Sequence, residues 1–98
     1  MSRLTISRQA RQDLKEIFLY VARDKPAAAH RLRMALEGVF RVLARNPAMG
    51  EARSDLGPDI RVFSFGSYAV FFRATEANVV IARVVHGARD MGGLWFAD

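Results

Sequence analysis

The chain has 98 residues, of which 51% are hydrophobic and 26% charged, and it contains no cysteine. That length supplies one hydrophobic core and not two, and the balance of apolar and charged residues excludes a disordered chain. The absent cysteine excludes disulfides, thiolate nucleophiles and cysteine metal sites, while a net charge of +5, carried by arginine except at Lys15 and Lys25, suits an acidic partner or a nucleic acid.

No apolar run is long enough to cross a membrane, and the N-terminal MSRLTISRQA lacks the apolar core of a secretory signal, so a cytoplasmic location and no membrane partner are expected. His30 and His86 are the only histidines and stand in no metal-binding spacing, so neither a metal nor a cofactor is expected.

Residues 3–6 alternate as a short strand with Leu4 and Ile6 on one face. Ser7 is a plausible N-cap for a first helix, in which Ala10, Leu14, Ile17, Phe18 and Val21 form the apolar face and Arg8, Arg11, Asp13, Lys15 and Glu16 lie outside it. Pro26 disfavours helix at Lys25, so that helix stops near Asp24, and Pro26 itself suits the first position of a second. The second helix carries Ala29, Leu32, Leu36, Val39, Phe40 and Leu43 on one face and ends at Arg45 and Asn46, before Pro47. With so tight a joint the two helices form an antiparallel hairpin. Gly38 lies inside the second helix, where close approach of another backbone could account for it.

Residues 46–59, NPAMGEARSDLGPD, are turn formers and read as a loop or flap. Residues 60–65 and 68–73 read as a hairpin, with Gly66 and Ser67 suited to a two-residue type II′ turn, and residues 75–78 turn into the last strand. The sum is an α+β domain spanning the chain, β-α-α-β-β-β, with a two-helix hairpin packed on a mainly antiparallel four-stranded sheet. The tail MGGLWFAD, residues 91–98, is too apolar to stand free in water, so it folds back on the core or docks on a partner.

The stretch NVVIARVVHGARD, residues 78–90, concentrates the chemistry. Residues 79–85 are mostly β-branched and suit a strand inside the sheet, covered on both faces. Arg83 interrupts it, and a guanidinium so placed must reach water or pair with a carboxylate, for which Asp90 is the expected partner. Gly87 allows a sharp turn that sets His86, Arg89 and Asp90 together at the strand end. Arg61, Arg83, His86, Arg89 and Asp90 could hold a phosphate backbone, with His86 moving a proton in RNA cleavage. The other reading is structural, with Asp90 pairing Arg83 or Arg89 and His86 closing the strand end. Phe63, Phe65 and Phe71 are expected on the sheet face away from the helices, where they are either covered by loop and tail or line a groove for an amphipathic segment. No nucleotide-binding or hydrolase motif is present. The helices could be read as a helix-turn-helix, but their apolar faces are broad and the joint lacks the usual turn.

RVVHGARD following GSYAVFF resembles the C-terminal half of the RelE/ParE superfamily of type II toxins, and the HGARD ending is most similar to the ParE branch. The resemblance covers nearly the whole chain, whose order of elements is also that of the family. It implies a toxin that poisons DNA gyrase without a catalytic site of its own, neutralised in a hetero-oligomer by a cognate antitoxin that folds its C-terminal region onto it. Arg89, His86 and Trp95 are the candidates for target contact. Leu14 and Phe18 on the helical hairpin, with Phe63, Phe65 and Phe71, are the candidates for antitoxin contact. The alternative within the superfamily is a ribosome-dependent mRNA endonuclease using Arg61, His86 and Arg89. Two departures weigh against it: Ala69 stands where those nucleases carry a basic residue just past the Tyr, and Trp95 cannot exchange a proton. A domain that has lost toxicity and serves only in protein interaction is a third possibility.

Overall fold

The computed structural model describes residues 3–87. Strand β1 (Arg3–Ile6) leads into helix α1 (Arg8–Asp24), and Lys25 alone separates it from helix α2 (Pro26–Arg45). The strands β2 (Glu51–Ala52), β3 (Ile60–Phe65), β4 (Tyr68–Ala74) and β5 (Asn78–His86) follow. They form a five-stranded sheet in the order β1-β5-β4-β3-β2, with β1 parallel to β5 and every other pair antiparallel. β5 is therefore interior, as suits its mostly β-branched apolar residues.

Local signals explain the helix ends. Ser7 is the N-cap of α1, its Oγ accepting the Ala10 N–H at 3.0 Å. Pro26 opens α2, and at its far end the Asn46 N–H and side-chain amide both donate to the Val42 carbonyl. The hairpin lays Ala10, Leu36, Phe40 and Leu43 against Val70, Phe72, Val79, Ile81 and Val84 in the larger core. On the opposite sheet face Ile60, Ala69, Phe71, Ala82 and Val85 form a second cluster, on which Leu56 and Val62 pack.

Three expectations are corrected. The sheet has a fifth strand, because the segment expected to be loop bends back at Gly50 and pairs Glu51 with Val62 and Ala52 with Arg61. Gly50 has φ +83° and a Cβ there would press on the Val62 carbonyl, so only glycine permits the approach. Gly38 marks no close packing: a Cβ would meet only Arg41 Nη2, at 3.9 Å. Asp13, expected on the solvent side of α1, is 7% exposed. The β3–β4 turn is as expected, with Gly66 at φ +58° and Ser67 not in the left-handed region.

Candidate target-binding corner

β4 starts and β5 ends at one corner of the sheet. Tyr68 lies opposite His86 in the ladder, and their rings meet edge to face with centroids 5.1 Å apart. The Gly87 N–H donates to the Ser67 carbonyl at 2.6 Å, which ties the strand end to the β3–β4 turn. His86 is exposed, whereas burial pushes the Tyr68 phenol above its ordinary value of 10.0. Between this corner and the second half of α1 lies a cleft of about 560 Å³, whose walls include Glu16, Ile17, Tyr20, Tyr68, Val84 and His86.

At the base of the cleft is the partner of Arg83. Both residues are more than nine-tenths buried, and Asp13 takes the guanidinium in a bidentate bond, Nε to Oδ2 at 2.8 Å and Nη2 to Oδ1 at 3.0 Å. The need for a carboxylate was legible, but its assignment to Asp90 has to be revised: the observed ion pair uses Asp13, and Asp90 lies outside the described residues. Arg89 and Trp95 lie outside them as well. The signal for Asp13 was in the sequence, since Ala10, Asp13, Leu14 and Ile17 follow the i, i+3, i+4, i+7 spacing of one helix face. A carboxylate on that stripe calls for a buried cation, and the strand offered one.

Arg61 is occupied elsewhere. Its Nε donates to the Met49 carbonyl at 3.1 Å and its Nη2 to those of Ala48 and Gly50 at 2.7 and 3.0 Å. It fastens the loop before β2 to the sheet, so the expected grouping of Arg61 with Arg83 and His86 does not form. Among the described residues no cluster of three metal-ligating side chains occurs.

The apolar candidates also separate. Leu14 and Phe18 line a groove of about 560 Å³ between α1 and α2, floored by Leu36 and Phe40. Arg11, Lys15, His30 and Arg33 rim it, against the one acidic residue Glu37. The Arg33 guanidinium stands over the Phe18 ring, 4.9 Å from its centroid. Phe63 and Phe65 turn toward the helices and pack on the larger core, while Phe71 is wholly buried in the cluster on the opposite face. A single docking face made of all three is therefore corrected: the ladder pairs Phe71 with Val62 and puts it out of phase with Phe63 and Phe65.

The family described as the ParE toxin of the type II toxin–antitoxin system parDE matches residues 4–91. The toxin ParE3 of Caulobacter vibrioides is 34% identical over 94 residues, covering 93% of this chain and 92% of that protein. The toxin ParE1 of Mycobacterium tuberculosis is 32% identical over 93 residues, covering 92% and 94%. Among solved structures, the chromosomal ParDE system of P. aeruginosa superposes with a TM-score of 0.76 at 20% identity over 90% of this chain and 98% of that one. The RelBE2 toxin–antitoxin complex of Mycobacterium tuberculosis gives 0.62 at 24% identity over 90% and 93%. These likenesses carry the fold, and the family match and sequence relatives carry the kind of protein: the chain belongs to the ParE family and is a type II toxin of the ParE kind.

Proposed function

We propose that this toxin acts in the cytoplasm by binding DNA gyrase and holding it on cleaved DNA, and that a cognate antitoxin neutralises it in a hetero-oligomer. One domain carries both surfaces: the corner at His86 for the target, with Arg89 and Trp95 as further candidate contacts outside the described residues, and the groove at Leu14 and Phe18 for the antitoxin. The observation that favours binding over catalysis is Arg61, whose Nε and Nη2 donate to three loop carbonyls and so hold the guanidinium to the loop before β2. Ala69, where the nucleases of the superfamily carry a basic residue, is buried in the second cluster. The gyrase assignment leans on membership in the ParE family, and the antitoxin assignment on relatives solved as toxin–antitoxin systems. A basic rim around an apolar floor suits an acidic amphipathic segment.

The test is a cleavage assay with purified toxin, gyrase and supercoiled DNA. Trapped cleaved DNA that falls at least tenfold with Arg89→Ala is the expected result. Unchanged gyrase at toxin concentrations that stop growth contradicts the proposal. In that case, cleavage of mRNA on translating ribosomes would assign the nuclease alternative, and no growth arrest at all would leave an interaction domain.

A further inference from the structure

β5 changes phase within its own length. Val79 and Ile81 face the helices, and Ile81 lies opposite Phe72; the neighbouring residue Phe71 lies opposite Arg83, which leaves Ala82 as an extra residue in the strand. Beyond it Val84 takes the helix side, opposite Val70, and His86 follows opposite Tyr68, while Ala82 and Val85 belong to the other face. Without that bulge, strict alternation from Ile81 would carry Arg83 and Val85 to the helix side and turn His86 away from it. One inserted residue therefore decides that His86 meets Tyr68 at the mouth of the cleft.

The bulge sits where β5 loses its outer neighbour. β1 ends at Ile6, opposite Ile81, and α1 serves the strand's edge from there on. The Ser7 N–H donates to the Ile81 carbonyl at 3.0 Å and the Ser7 Oγ to the Ala82 carbonyl at 3.0 Å. Asp13 Oδ2 accepts the Val84 N–H at 3.0 Å, as the carbonyl of a neighbouring strand would, and the same carboxylate takes the Arg83 guanidinium through both oxygens. Two consecutive residues after the bulge thus share one buried acceptor.

We propose that Asp13 is a positioning residue for the target-binding corner: by holding the Val84 N–H and Arg83 together it fixes the bulge at Ala82, and so the placement of His86 and Gly87. This rests on reading the corner as the gyrase contact. Other packing at the strand could hold the bulge by itself, and the two cases give different results for Asp13→Asn. That variant keeps the size of the side chain but loses one carboxylate oxygen and the charge, so it cannot serve the four donors: Arg83 Nε and Nη2, the Val84 N–H and Gln9 Nε2.

The experiment compares full-length wild type, Asp13→Asn and Leu43→Val, a core change on α2 that serves as a stability control. Proton NMR reads the contact between the His86 and Tyr68 rings, and the gyrase assay reads activity. Asp13→Asn is expected to lose the ring contact, with amide shifts confined to the end of β5 and its surroundings, and to lose trapped cleavage at least tenfold. Leu43→Val should retain both. An Asp13→Asn protein that keeps the ring contact overturns the proposal, as does equal loss in Leu43→Val. If Asp13→Asn does not fold, the double variant Asp13→Leu with Arg83→Met removes the clamp without burying a lone charge, and retention of the ring contact there is equally decisive. Should wild type prove inert toward gyrase, the functional reading fails, while the ring contact still decides whether Asp13 holds the bulge.

Discussion

At the scale of single residues, Asp13 and Arg83 illustrate the difference between stability and position. Removing one partner of a buried ion pair costs about 3–5 kcal/mol, yet replacing both with apolar groups is often neutral or favourable. Such a pair therefore explains geometry better than it explains a melting temperature, and here the geometry is that of a strand edge without a neighbour. Tyr68 carries a prediction about pH. Burial raises its pKa above 10.0, so the folded state disfavours the phenolate. Its contribution to stability is complete below the unfolded pKa and is lost as the pH rises through the raised folded value. Tyr68→Phe should accordingly show a shallower fall in melting temperature than wild type above about pH 10, a difference that thermal unfolding at stepped pH measures. Identical alkaline slopes in the two proteins would contradict it.

At the scale of elements, α2 is weaker than its packing requires. Gly38 sits in its interior with no close contact at the missing Cβ, so Gly38→Ala should stabilise the fold by roughly 0.5–1 kcal/mol. Chemical denaturation checks this: a raised midpoint at unchanged slope is expected, and a lowered midpoint would show crowding. The elements also show what sequence can and cannot disclose. Ser7, Pro26 and Pro47 act on their immediate neighbours, so both helices were legible to their ends. β2 was not, because Glu51 and Ala52 have no alternation of their own and become a strand only by lying beside β3. The bulge was hidden for the opposite reason: residues 79–82 and 84–85 are all apolar, and a run apolar on both faces carries no phase for a break to disturb.

At the scale of the whole molecule, the two candidate surfaces differ in charge. The groove between the helices is rimmed by Arg11, Lys15 and Arg33, whereas the cleft at the sheet corner has among the described residues no lysine or arginine in its wall and includes Glu16. Antitoxin binding should therefore weaken as salt is added, and Arg33→Glu should lower affinity about tenfold, ~1.4 kcal/mol. Arg45→Glu, outside the groove at the end of α2, should change it little; calorimetry of the purified pair at two salt concentrations separates the cases. The candidate site was only half legible because its parts are far apart in sequence. Leu14 and Phe18 share a helix face and could be read from spacing. The meeting of Asp13 with Arg83 joins α1 to β5, and the withdrawal of Arg61 to the loop depends on β2 pairing, so neither has a local signature.

The parallel pairing of β1 with β5 has a consequence for the birth of the protein. Residues 3–6 are translated before residues 78–81, and they wait for them before β1 can pair with β5. The helical hairpin can form early, since its contacts are local, but β1 stays unpaired until β5, which joins it to β4, emerges. The corner proposed to meet the target lies at the far end of that strand. A nascent chain thus presents the groove proposed for the antitoxin before it has a complete sheet, an order of synthesis in which neutralisation can precede toxicity.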